Sequence, residues 1–195
     1  MKRDSLKLPL LDMVVISLTA ALGMVSKPVI GPLARFITGP IGIPGGVLAG
    51  GLYMMFMVFA YGMTRRLYAG TLTALIQAIL AVFTGIGGSV GLLSIITYLP
   101  PGIAVDLVMF LFKLFRQPRA TALACFLSCM AANVAGTFMM WGVVFGMPLS
   151  VMSFVPVLLA FSAAALSGGL GGLLAYFVLK RVRRVRIFGN RGETT

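Results

Sequence analysis

Apolar residues fill six long blocks of this chain, at about 8–25, 44–64, 67–84, 89–112, 120–145 and 150–179, and the gaps between them collect most of the charge. The blocks are apolar all round. This predicts helices in hydrocarbon and argues against lipid-facing strands, whose residues alternate apolar with polar. Each block meets or nearly meets the roughly 20 residues needed to cross about 30 Å at 1.5 Å per residue, and the last two must tilt, bend or protrude. The expected fold class is all-α: a polytopic integral membrane protein with six transmembrane helices in a single domain, 1–195.

Charge adds a direction. Fourteen of the sixteen Lys and Arg residues lie in every second gap: Lys2, Arg3 and Lys7; Arg65 and Arg66; Lys113, Arg116 and Arg119; and Lys180, Arg181, Arg183, Arg184, Arg186 and Arg191. Basic residues stay on the cytoplasmic side of a bilayer, so the alternation predicts an even number of spans with both termini inside. The net charge of +12 and pI near 10.7 would suggest nucleic acid in a soluble protein. With 59% hydrophobic and 10% charged residues, a mean hydropathy of +1.05, and the cations at membrane borders, they point to lipid headgroups and exclude nucleic acid as a partner. The segment 180–195 reads as a solvated basic tail that anchors and orients the chain.

Lys2 and Arg3 before an apolar run also fit a secretory signal, with Thr19, Ala20 and Ala21 as a small-residue cleavage site. Asp12 interrupts that run and the apolar residues continue to Val25, which favours a retained first helix. The segment 26–43 holds Pro28, Pro32, Pro40, Gly31, Gly39 and Gly42 and predicts a turn-rich outer loop. Small residues recur every fourth position at Gly42, Gly46 and Gly50, at Gly87 and Gly91, and at Ala164, Gly168 and Gly172, the spacing that lets membrane helices approach closely. Ser17 and Ala21 form a similar stripe on the first helix, open to packing within the chain or to docking on a partner.

Catalytic chemistry is poorly supplied. Gly87 to Gly91 matches G-x-S-x-G, but the nucleophile elbow needs a strand-to-helix turn and a histidine base, and the chain has no histidine. Asp4, Asp12, Asp106 and Glu193 are its only acids, too few and too scattered for a metal site or a carboxylate pair, so no cofactor or metal is expected. Cys125 and Cys129 read as small packing residues. No Gly-Lys pair occurs, hence no P-loop, and uphill movement of a solute would draw on an ion gradient or on a partner ATPase. Asp106 alone among the acids lies well inside a span, thin equipment for ion coupling.

Uncharged polar residues do recur inside the spans. Thr73, Gln77 and Thr84 share a face of the third helix, Ser94, Thr97 and Tyr98 one of the fourth, and Asn133, Thr137 and Trp141 one of the fifth. Gln77, Tyr98 and Asn133 fall at about half to six-tenths of the depth from the inner end. A polar ring at one level, with Met and aromatic residues around it, predicts a pocket for a small solute. Bonding across helices is the other reading of these groups, and an interface anchor the other reading of Trp141.

Six spans in about 190 residues, a small-residue first helix and the segment GPIGIPGG leading into the second helix resemble the substrate-binding S-components of energy-coupling factor vitamin transporters. GPIGIPGG and GIAVDLVMF, which carries Asp106, place the resemblance near the hydroxymethylpyrimidine/thiamine branch. The third-helix acids of that branch have no counterpart at Ala74 and Ala81, so a cationic pyrimidine or thiazolium ligand is not carried over. The resemblance implies a prokaryotic cell membrane and a subunit that captures a vitamin or precursor outside. It further implies docking on a transmembrane coupling subunit with two ATPases, with Ser17 and Ala21 on the docking face. Lys27 and Arg35, expected in the loop over the pocket, either attract an anionic group or are simply solvated. Two other classes remain open: a self-contained secondary transporter or channel, and an assembly or scaffold protein without a small ligand.

Overall fold

The computed structural model describes residues 10–41, 45–85, 91–115, 121–144, 146 and 154–184, and every element among them is helical. Gly42, Gly87, the first residues of the predicted first, fourth, fifth and sixth spans, and the basic residues Lys2, Arg3, Lys7, Arg116, Arg119, Arg186 and Arg191 lie outside the described residues. The helices are α1 (Leu10–Thr38), α2 (Gly45–Thr64), α3 (Ala69–Thr84), α4 (Leu93–Leu114), α5 (Ala122–Met139) and α6 (Phe154–Arg184). A 3₁₀ turn, Gly39–Ile41, follows α1, and a π-helical turn, Met140–Val144, extends α5. Five of these helices are long and apolar enough to cross a membrane. The sixteen-residue α3 is apolar but spans only roughly 24 Å, less than the hydrocarbon thickness. Leu18, Val25, Val29 and Leu33 on α1 and Leu158, Leu166 and Leu170 on α6 are exposed on the outside of the bundle, a surface suited to lipid rather than water. The chain is a multi-pass membrane protein.

Each helix packs on the next in a closed ring, in the order α1, α2, α6, α5, α4, α3 and back to α1, with α2 also touching α3, α4 and α5. Hydrophobic burial gives little drive for such contacts inside a bilayer, so close approach has to come from small residues. The interior is accordingly rich in alanine, with Ala20, Ala60, Ala74, Ala78 and Ala164 fully buried. The closest crossing is α2 on α6, where a Cβ at Gly51 would fall on the Ser167 carbonyl and one at Gly171 on the Gly51 carbonyl. Gly168 and Gly172 take α5 in the same way, against the backbone at Met130 and Cys125. Cys129, buried between these helices, directs its Sγ at the Gly51 carbonyl at 3.6 Å.

The expectation of a turn-rich outer loop over 26–43, with the first span confined to 8–25, is corrected: α1 runs unbroken to Thr38 with Pro28 and Pro32 inside it. Proline removes one N–H but keeps a helical φ, and membrane helices tolerate it where the loss is local. Both losses fall one turn apart on a single face, which also borders the cavity described below. The basic tail is corrected in part as well. Helix α6 continues through Lys180 and Arg181 to Arg184, and the half-buried Arg183 donates from Nη2 to the Gly62 carbonyl at 2.6 Å. At the same end of the bundle Arg66 pairs with Asp12, Nε to Oδ2 3.4 Å, so the start of α1, the α2–α3 connection and the end of α6 lie together.

Asp106 has a structural task. The turn before α3 places Arg65 and Tyr68 at positive φ, 53° and 76°, and Tyr68 offers no side-chain cap. The Asp106 carboxylate of α4 takes that part instead, accepting from the backbone N–H of Gly70 (3.0 Å) and from the N–H (2.7 Å) and hydroxyl (2.6 Å) of Thr71. A carboxylate at a helix N-terminus satisfies free N–H groups and meets the positive end of the helix dipole. Asp106→Ala is expected to lower stability by about 2–4 kcal/mol, since several donors lose a charged acceptor together, with a smaller loss for Asp106→Asn. Thermal unfolding in detergent checks this; equal midpoints for Asp106→Ala and the parent would refute the capping role.

Candidate functional site

A cavity of about 760 Å³ occupies the end of the bundle opposite the Asp12–Arg66 pair. Four helices wall it. The second half of α1 contributes Lys27, Pro28, Gly31, Pro32 and Arg35, and the first half of α2 contributes Gly46, Gly50, Tyr53, Met54 and Met57. From α4 come Ser94, Thr97 and Tyr98, and from the end of α5 and its π-helical turn come Asn133, Thr137, Met140 and Trp141. Its size is that of sites that enclose a small organic molecule, and its mixture of apolar wall with a few convergent polar groups is typical of them.

Lys27 is the most distinctive of these groups. Because α1 continues past the predicted loop, Lys27 sits on a packed helix rather than in solvent and is only 8% exposed. This corrects its expected place in a loop; Arg35, two turns further on, also lies on α1 but is exposed. The Lys27 ammonium donates to the Tyr98 hydroxyl at 2.6 Å and lies 3.9 Å from the centroid of that ring and 5.7 Å from that of Tyr53. Two aromatic faces thus hold the cation, and none of the described residues lining the cavity is an acid.

Asn133 bonds across helices and also lines the cavity. Its Nδ2 donates to the carbonyls of Ala164 (2.8 Å) and Val47 (3.2 Å), tying α5 to α6 and α2. Its Oδ1 occupies the space that a Cβ on Gly50 would need, at the cavity wall. The Thr137 hydroxyl donates to the Asn133 carbonyl one turn back, and Trp141 stands edge-on to Phe161 of α6 with centroids 6.0 Å apart. Trp141 is buried, which sets aside the reading as an interface anchor.

Gln77 does not line the cavity. It is buried on α3 against Gly23 of α1, and neither amide atom has a hydrogen-bond partner among the described residues. Depth along a span fixes the level of a residue but not the direction it faces, and α3 contributes nothing to the wall. Asp106 is likewise absent from the wall, engaged at the start of α3. Ser17 is exposed and Ala21 half-buried on the outer side of α1. Tyr53, absent from the sequence expectations, follows Gly46 and Gly50 on the same face of α2, a spacing that marks it in the sequence.

The family model for the ABC-type cobalt transport system, permease component, matches residues 11–135. The chain belongs to this family. The structure is similar to a crystal structure of an S-component of an ECF transporter, with a TM-score of 0.77 over 95% of this chain and 91% of that one, at 19% sequence identity. A family member by sequence, the chain therefore has the fold that its resemblance to S-components implies. No curated protein matches it significantly in sequence. Both likenesses are to transport components rather than to enzymes.

Proposed function

We propose that this chain is the membrane-embedded substrate-binding subunit of an ECF-type importer, taking up a small vitamin or vitamin precursor. The observation that carries the reading is the cavity of about 760 Å³, walled by four helices in a chain with an S-component fold. On this reading six spans form one transmembrane domain and both termini face the cytoplasm, so that the cavity faces outward and the basic end inward. A transmembrane coupling subunit and two ATPases supply the energy, which agrees with the missing P-loop. Lys27, Arg35, Tyr98, Asn133, Thr137 and Trp141 contact the ligand; Gln77 and Asp106 do not. Cobalt, the cargo in the family's description, does not suit this wall: among the described residues no carboxylate, thiol or imidazole lines it, and two cations do.

Native mass spectrometry of the purified chain tests the reading by asking for a bound small molecule. ATP-dependent uptake in liposomes with the coupling module tests the mechanism, and uptake by the chain alone would sink it in favour of a self-contained transporter. Ser17 and Ala21 are assigned to the docking face of α1. Ser17→Trp or Ala21→Trp is expected to abolish uptake while leaving ligand binding within about twofold, because neither residue borders the cavity. Lost binding with intact docking would refute that assignment.

A further inference from the structure

We infer that the cavity selects an organic anion, a solute with an acidic group on an apolar or aromatic body, whose charge is neutralised by Lys27. The inference rests on the substrate-binding reading above and narrows it to a chemical class.

A buried ammonium needs a counter-charge or a dense set of acceptors, because removing it from water is costly. The hydrogen bond shown for the Lys27 ammonium goes to one hydroxyl, that of Tyr98, with the Tyr98 and Tyr53 rings beside it. The chain has four acids. Asp12 lies fifteen residues back on the same helix, roughly 22 Å away at 1.5 Å per residue. Asp106 is held at the start of α3, and Asp4 and Glu193 lie outside the described residues. Among the described residues no acid lines the cavity and two cations do, so an anion entering it would supply the counter-charge that Lys27 lacks.

The second cation has a distinct position. Arg35 is exposed and two turns of α1 from Lys27, roughly 12 Å along the axis. One cation at the rim and one in the interior make a graded field that draws an anion inward. The apolar remainder of the ligand would meet Met54, Met57, Met140 and Trp141.

Trp141 is the only tryptophan in the chain and lines the cavity, so its fluorescence reports occupancy. The full-length chain in detergent is titrated with 3-phenylpropanoate, 3-phenylpropanamide, 3-phenylpropylammonium and cobalt(II) chloride. The acid is expected to bind about tenfold or more tightly than its amide, the margin of a charge-assisted hydrogen bond over a neutral one, and the ammonium and the metal more weakly still. Lys27→Met should erase the preference for acid over amide at an unchanged unfolding temperature, and Lys27→Arg should keep it. Failure of the acid to outcompete its amide, tighter binding of the ammonium or of cobalt, or a preference that survives Lys27→Met would each overturn the inference. These titrations use the lone chain. An acid preference without dependence of uptake on the coupling module would sink only the importer reading, and coupled uptake without an acid preference only the charge assignment.

Discussion

Gly51→Val is expected to cost the bundle at least about 3 kcal/mol and to leave little folded protein after extraction in detergent, the upper end of what overpacking does. The position has no room, since even a Cβ would fall on the Ser167 carbonyl of α6 and Gly171 on that helix already rests on the Gly51 carbonyl. A larger group must push α2 and α6 apart along a helix-to-helix seam whose polar links depend on the short distance. Ser167 Oγ accepts from the Gly51 N–H at 3.3 Å and donates to the Leu48 carbonyl, and Cys129 Sγ reaches the Gly51 carbonyl from α5. Separation would break these links together in a medium with no water to replace them. Gly51→Ala should show the same defect at lesser amplitude. Thermal unfolding followed by size exclusion measures the series, and a Gly51→Val midpoint equal to that of the parent would refute the close crossing.

Such crossings were only partly legible in the sequence. The apolar blocks and basic gaps gave the helices, because a run of apolar side chains has one physical outcome in hydrocarbon. The stripe Gly46–Gly50 and that of Ala164, Gly168 and Gly172 announced close packing, yet spacing cannot say which glycine is pressed against a neighbour and which borders empty space. Pro28 and Pro32 misled: proline ends helices in water because its freed carbonyl and its clash are local penalties, and the surroundings that make α1 continuous are tertiary. With α1 continuous, Lys27 lies on a packed helix beside Tyr98 and Tyr53 rather than in a solvated loop. Tyr98, Asn133, Thr137 and Trp141 do line the cavity, because three- and four-residue spacing sets both level and face on one helix. Gln77 was misjudged because the rotation of α3 relative to α4 and α5 leaves no trace in either helix alone. Asp106 was legible as an anomaly, a charge inside a span, but its partner is the backbone of Gly70 and Thr71, and backbone carries no sequence signature.

Gly46→Phe makes the opposite prediction to Gly51→Val, although the two glycines are five residues apart on one helix. Gly46 lines the cavity and a Cβ there meets none of the described residues within 4 Å, whereas Gly50, one turn further along the same face, lies against Asn133. A phenyl group at Gly46 therefore projects along the cavity face without pressing on another helix. Replacing glycine inside a helix also reduces the entropy lost on folding, by about 0.5–1 kcal/mol, so the variant should unfold at or slightly above the temperature of the parent. Its ring would occupy the volume between α2 and the facing residues of α4 and α5, and ligand affinity should fall by about 100-fold, the loss expected when a bound group meets a filled pocket rather than a missing contact. Native mass spectrometry supplies the readout: the small-molecule adduct expected of the parent should be absent from Gly46→Phe at the same protein concentration. An adduct that persists in a stably folded Gly46→Phe would mean that the ligand sits elsewhere, and the cavity between α1, α2, α4 and α5 would lose its claim to be the binding site.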